Sequence, residues 1–227
     1  MNPFTVIGHR GACAHEPENT LRSIRRGLKD GADMIEIDVR LVDGEIVVIH
    51  DDSLDRTTDG NGSVYALTFP ELRALSAGKG ERIPTLAEVL NLTSGRVPLN
   101  IEFKDRAVVA PVCALIESWP REDVLVSCFD WECLREVRHL LPTVPIGILT
   151  AEASGSALAV AETLRAASLH LALPCLSAEY VAESRARRLP VLSFTVRTEA
   201  DLEKVRACGA DGCFADDPAW VRGLLEG

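Results

Sequence analysis

From Pro84 onward the chain alternates between short β-branched, apolar runs and amphipathic segments, and this rhythm constrains the fold more than any other feature. Extended runs are expected at Val97–Phe103, Val124–Cys128, Val144–Leu149, Leu169–Leu173, Val191–Val196 and Asp211–Ala215. Apolar residues at helical spacing predict helices over Thr85–Leu92, Val108–Ser118, Trp131–Leu140, Ser156–Ala167, Ala178–Arg187, Glu199–Ala207 and Ala219–Leu225. The strands recur roughly every 21–26 residues with a helix in each interval, which implies parallel pairing. Two further strands come first, Phe4–Gly8 and Met34–Val39. The helix between them begins at Asn19 or Thr20, both good capping types, and stops at Gly31. Eight strand–helix units in 227 residues is the count of a (β/α)8 barrel. A doubly wound sheet is the competing architecture, but no G-x-G-x-x-G or phosphate-loop pattern supports it.

One stretch breaks the rhythm. After the second strand comes a hairpin with Asp43-Gly44 as its turn signal. Polar, turn-rich runs follow (RTTDGNG, then AGKGER), with one short amphipathic piece around Phe69–Leu75. We read residues 40–83 as a short excursion from the loop after strand two, and residues 1–227 as a single domain.

Composition narrows the function. The net charge of −10, with 24 basic against 34 acidic residues and no Lys/Arg-rich run, argues against a nucleic-acid partner. Arg22, Arg25, Arg26 and Lys29 fall on one helix and read as a solvated face. Seven cysteines are an odd number and form no C-x-x-C pair, which speaks against a disulfide framework and a zinc site and fits a reducing compartment. No uncharged apolar run approaches the roughly 18–20 residues of a membrane span. The N-terminus has no basic region, apolar stretch or cleavage site of a signal peptide, so a soluble cytoplasmic protein is expected.

The chemistry gathers at the strand ends, where such a barrel carries its functional residues. Glu36 and Asp38 lie two apart on the second strand and share a face, with Ile35, Ile37 and Val39 on the other. Glu102 and Lys104 repeat that spacing at the end of the third strand, His9 follows the first, and His50 ends the hairpin. Like charges on a buried strand are costly unless neutralised, and a hard divalent cation prefers carboxylate oxygens. One reading gives Glu36, Asp38 and Glu102 to a single Mg²⁺ or Ca²⁺ ion, with His9 and His50 as an acid–base pair. The other makes the group a set of barrel-mouth salt bridges, for example Lys104 with Glu36 and Asp38. The remaining histidines read as structural: His15 as a surface residue, His139 as a partner of a helix C-terminus, His170 as packed inside the barrel. Trp131 either walls the pocket or caps its helix.

These residues, in this order, resemble the glycerophosphodiester phosphodiesterase family along the whole chain. The likeness comprises HRG at His9–Gly11, PENT at Pro17–Thr20, GADMIEIDV at Gly31–Val39 and HD at His50–Asp51. RTTDGNG at Arg56–Gly62, IPTL at Ile83–Leu86 and IEFK at Ile101–Lys104 complete it. The resemblance implies a TIM barrel that cleaves a small phosphodiester to glycerol 3-phosphate and an alcohol with one divalent cation, Mg²⁺ or Ca²⁺. It places the metal on Glu36, Asp38 and Glu102, the acid–base roles on His9 and His50, and phosphate contacts on Arg10 and Lys104. Where the family usually has a WTVN-like strand end this chain reads Phe194-Thr195-Val196-Arg197, and where it often has T-D-x-P it reads Ala215-Asp216-Asp217-Pro218. Those departures bear on the alcohol side of the pocket. Two alternatives are a phospholipid or lysophospholipid phosphodiesterase of related architecture and a barrel that only binds phosphorylated ligands.

Overall fold

The computed structural model describes residues 4–119 and 123–226. Its strands are β1 (Thr5–Gly8), β2 (Met34–Val42), β3 (Glu45–Val48), β4 (Leu99–Phe103), β5 (Val124–Cys128), β6 (Ile146–Thr150), β7 (Ser168–Ala172), β8 (Val191–Val196) and β9 (Gly212–Ala215). Its helices are α1 (Leu21–Lys29), α2 (Phe69–Ala74), α3 (Leu86–Thr93), α4 (Val109–Glu117), α5 (Trp131–Leu140), α6 (Gly155–Thr163), α7 (Ala178–Ala186), α8 (Glu199–Ala207) and α9 (Pro218–Glu226). The hydrogen-bonded order is β1-β9-β8-β7-β6-β5-β4-β2, and β1 pairs again with β2, so eight parallel strands close into a barrel. The expected (β/α)8 architecture is therefore present, with β3 added antiparallel to the far end of β2. No helix among the described residues is long and apolar enough to cross a membrane.

Strand alternation sorts the core into two layers. Ile35, Ile37, Val39, Ile101, Phe103, Val126 and Ile148 are buried in the large cluster that joins strands to helices. Ile7, Leu192 and Phe214, with Met34 and Phe194 against them, form a smaller cluster of their own. Because Met34 packs against this cluster and shares its strand face with Glu36 and Asp38, both carboxylates are directed to the inside of the barrel at its carboxyl end.

Most expected elements lie where the sequence places them, and the shifts have local causes. The third and fifth barrel strands begin at Leu99 and Ile146, not at Val97 and Val144, just after Pro98 and Pro145, which have no N–H to donate to a ladder. Ser154 caps α6, its hydroxyl accepting from Ala157 N at 3.3 Å, so that helix starts before Ser156. Strand β2 runs on to Val42 because Val39–Val42 pairs with Glu45–Val48. Between these strands Asp43 and Gly44 have φ of 50° and 81°, the pair of left-handed residues that a tight hairpin turn requires.

The excursion has a core of its own, built from Val42, Val47, Ile49, Leu54, Val64, Leu72, Ala77 and Ile83. The single turn Val64–Ala66 and helix α2 cover it. This packing holds His50, Asp51 and Arg56 at the carboxyl end of the barrel.

Candidate active site

Register sets the carboxylates side by side. Asp38 pairs with Glu102 across β2 and β4, and Glu36 pairs with Asn100. Oxygens of Glu36, Asp38 and Glu102 lie within 4.8 Å of one another, and all three residues are buried. Among the described residues, Lys104 and Arg10 are the cations paired with this group. Lys104 Nζ lies 2.9 Å from Asp38 Oδ1 and also bonds Glu102 Oε1, while Arg10 Nε lies 3.2 Å from Asp38 Oδ2. Asp38 Oδ1 and Arg10 Nε sit at ion-pair distance from these partners but are misaligned for hydrogen bonds. Part of the salt-bridge reading thus holds, with Glu102 in the place expected for Glu36.

Glu36 is the member left over. Its Oε2 accepts the Arg10 backbone N–H at 2.9 Å, but its buried Oε1 has no partner. Arg10 reaches that position through a left-handed backbone, φ 52°, followed by Gly11 at φ 89°; a Cβ on Gly11 would lie 2.5 Å from Ser23. Burial, with Asp38 and Glu102 beside it, raises the Glu36 carboxyl well above its ordinary range. Burial and Asp38 likewise push Glu102 up to about 7. Burial also works against ionised Asp38, but Lys104 and Arg10 outweigh it and hold that group at about 2. Three buried carboxylates against two cations, with one oxygen unpartnered, suit one hard, oxygen-seeking ion.

The two histidines face this group with matching supports. His9 Nδ1 is 2.6 Å from Asp216 Oδ1, and the other Asp216 oxygen accepts from Arg197 Nε at 2.8 Å. His50 Nδ1 is 2.5 Å from Asp51 Oδ1, and Asp51 Oδ2 accepts from Arg56 Nε at 2.6 Å. Each ring is therefore held through Nδ1, which leaves Nε2 for proton transfer. Arg40 anchors the backbone of His50 with two bonds to its carbonyl, at 2.7 and 3.1 Å. Burial pushes the His50 imidazole down, against the pull of Asp38.

A cavity of about 220 Å³ opens between these groups. His9, Arg10, Glu36, His50, Glu102 and Lys104 line one side; Phe129, Leu149, Phe194 and Phe214 line the other, with Thr195 and Arg197 completing it. All the expected site residues line it except Asp38, which lies behind Lys104 and Asn19. On the apolar side of the cavity, Phe129 is 48% exposed. Trp131 donates its indole N–H to Leu149 O at 2.9 Å and is absent from the cavity lining. His170 is packed inside the barrel as expected, wholly buried against Phe214 and bonded to Ser168. His15 is on the surface, 2.7 Å from Asp217.

Sequence reasoning missed three supports. Asp216 is far from His9 in the chain, but barrel closure sets β9 beside β1. Asn19 is a cap candidate by residue type; Thr20 takes that role, and Asn19, φ 58°, turns inward to donate Nδ2 to Asp38 Oδ2 at 2.7 Å and accept from Asp38 N at 3.2 Å. Glu18 lies between Arg10 and Arg56 and bonds both.

Residues 9–220 match the model of the glycerophosphoryl diester phosphodiesterase family. The chain belongs to this family. A glycerophosphodiester phosphodiesterase of Caldanaerobacter subterraneus subsp. tengcongensis is 37% identical over 97% of each chain, and one of Bacillus altitudinis is 33% identical over 94% of each. Among solved structures, an Oleispira antarctica phosphodiesterase in complex with the product sn-glycerol-3-phosphate superposes with a TM-score of 0.93 at 31% identity, covering 98% of this chain and 97% of that one. The Thermotoga maritima glycerophosphodiester phosphodiesterase superposes with a TM-score of 0.85 at 28% identity over 99% of both. The family resemblance and the barrel expected from the sequence are both borne out, and with them the class of phosphoric diester hydrolase.

Proposed function

We propose that this member of the glycerophosphoryl diester phosphodiesterase family hydrolyses small glycerophosphodiesters to sn-glycerol 3-phosphate and an alcohol, using one divalent cation held by Glu36, Asp38 and Glu102. The observation that carries the reading is the unpartnered Glu36 oxygen within a buried carboxylate triad, facing two carboxylate-anchored histidines across one cavity. Mg²⁺ or Ca²⁺ fits such an all-oxygen donor set, and when bound it withdraws charge from the phosphoryl oxygens as the transition state forms.

The chain's own residues supply the rest. Lys104 and Arg10 line the cavity beside the triad and offer cationic donors to the non-bridging phosphate oxygens. His9 and His50 present Nε2, one taking the proton of the nucleophile while the other protonates the departing alkoxide. Asp216 and Asp51 hold the rings in that tautomer and stabilise whichever becomes cationic. A protein nucleophile is not needed: Cys13, the one thiol near His9, is pushed far up by burial and Asp216 and stays protonated. The glycerol 2-hydroxyl is tethered to the reacting phosphate and has a large effective concentration, so it attacks first and water then opens the cyclic phosphate.

The cavity volume suits a small headgroup better than an acyl chain, although the Phe129–Phe194 wall gives the lysophospholipid reading its one support. We also take the chain as a single domain with its excursion at about residues 40–83, working in a reducing, cytoplasmic setting that its unpaired cysteines suit. The test is release of sn-glycerol 3-phosphate from glycerophosphodiesters by purified protein, with and without chelator, and with a lysophospholipid in parallel. Turnover that persists in excess chelator, or turnover of the lysophospholipid alone, sinks the proposal.

A further inference from the structure

A second group of ligand-bearing side chains shares a residue with the proposed chemistry. His9, Cys13 and Asp216 bring a nitrogen, a sulfur and an oxygen within 4.8 Å of one another. His9 Nδ1 is 2.6 Å from Asp216 Oδ1 and 3.9 Å from Cys13 Sγ. Four-coordinate metals with bonds of about 2.0–2.3 Å hold their ligand atoms roughly 3.3–3.7 Å apart. The histidine–aspartate separation has to open by about 0.7 Å and the histidine–cysteine separation to close by a few tenths of an ångström for both pairs to meet one ion. The frame that carries them is tied by main-chain bonds, with His9 N on Ala215 O and Ala14 N on Asp216 O, each at 3.0 Å. Arg197 occupies the other oxygen of Asp216, so Oδ1 remains the one directed at the group. Cys13 also lines a second depression, with Glu16, Pro17 and Arg56, which shares no lining residue with the catalytic cavity. The thiol therefore borders a depression that none of the triad carboxylates lines.

The donor set differs in kind from that triad. Glu36, Asp38 and Glu102 offer only hard oxygens, whereas an imidazole, a thiolate and a carboxylate together select Zn²⁺ or another late first-row ion over Mg²⁺ and Ca²⁺. The Cys spacing in the sequence suggests no such site, because the third ligand comes from the last strand and only barrel closure brings it near.

We propose that His9, Cys13 and Asp216 form an inhibitory site for a zinc-class divalent ion, separate from the hard-cation site. Binding displaces the Cys13 thiol proton to solvent and moves the His9 Nδ1 proton to Nε2, so that the Nδ1 lone pair binds the ion. His9 then has no free lone pair at Nε2 to accept a proton and no hydrogen bond to Asp216 to stabilise a cationic ring. The loss of turnover rests on the proposed role of His9; the binding of the ion does not.

The test separates the two. Turnover is measured with saturating Mg²⁺ or Ca²⁺ while Zn²⁺ is titrated, in wild type and in Cys13→Ser. Wild type should be inhibited at Zn²⁺ levels that added Mg²⁺ or Ca²⁺ does not relieve, and the variant should keep basal turnover while needing on the order of tenfold or more Zn²⁺ for the same inhibition. In parallel, Co²⁺ is added to both proteins and the near-ultraviolet thiolate-to-cobalt charge-transfer band is recorded. The band should form in wild type and be missing in Cys13→Ser, whether or not the assay substrate is the right one. Equal inhibition of the two proteins, or no thiolate band in wild type, overturns the proposal.

Discussion

The metal-free triad makes a quantitative prediction about stability. Glu102 is 9% exposed, and burial beside Asp38 lifts its carboxyl from 4.5 to about 7. At about 1.4 kcal/mol per pH unit, this amounts to about 3 kcal/mol of differential stability. Because the pKa is raised in the folded state, the contribution is fully present below about 4.5 and is lost as the pH rises through about 7. Glu102→Gln removes the ionisation while keeping a similar shape, and Lys104 keeps its contact with Asp38. In chelator, the variant should therefore be more stable than wild type by about 3 kcal/mol at pH 8 and by less than about 1 kcal/mol at pH 5. At roughly 2–4 °C per kcal/mol, the pH 8 difference in Tm should be on the order of 5–10 °C. The comparison between proteins matters, because buried His170 (about 3) and His50, both pushed down, destabilise each of them equally as the pH falls below 6.5. Saturating Mg²⁺ or Ca²⁺ should reverse the order, since the ion stabilises wild type through a full ligand set. A variant that melts below wild type in chelator at both pH values, or a difference that widens toward pH 5, would show that Glu102 is not a strained member of an empty cation site.

His9→Ala and His50→Ala should each lower kcat by about 10²–10⁴-fold, with the double variant little worse because the pair acts as a unit; wild-type rate should pass through a maximum with pH, and near-normal turnover of either single variant would break the assignment. Asp216→Asn and Asp51→Asn should each cut kcat by about 10²-fold or more with little change in KM, since the neutral amide no longer enforces the Nδ1-protonated ring; an effect confined to KM would argue against a positioning role. A substrate analogue lacking the glycerol 2-hydroxyl should turn over far more slowly than its parent while Cys13→Ala stays close to wild type, and equal rates for the two substrates would favour direct attack by water. Thr198→Ala removes one half of the capping box with Asp201 and should cost about 1 kcal/mol, seen as a small drop in Tm with kcat unchanged.

The barrel could be read from the sequence because its signal is local and repeated. Each strand is a short β-branched run and each helix an amphipathic one, and a parallel order needs no more than their alternation. The boundaries were less legible, for reasons that lie in single residues. Val97 and Val144 belong to apolar runs, but Pro98 and Pro145 follow them and delay the ladder to Leu99 and Ile146. Ser154 sits outside the apolar pattern of α6, yet its hydroxyl decides where that helix begins.

For the site, the same distinction separates what was visible from what was hidden. Two carboxylates at i and i+2 of one strand advertise themselves, because alternation alone puts them on one face. Asp216 carries no such signal. It gains its meaning only when β9 pairs with β1, a contact between opposite ends of the chain, since a closed barrel makes the last strand end a neighbour of the first. Asn19 was hidden for another reason. Asn19 and Thr20 compete for one cap, and both are suited to it by the same short polar side chain. Thr20 wins because its hydroxyl accepts from Ser23 N, and the left-handed turn at Asn19 then swings its amide onto both the side chain and the backbone N–H of Asp38. The residue that lost the contest for the helix thus became the fixed support of the most buried carboxylate in the triad.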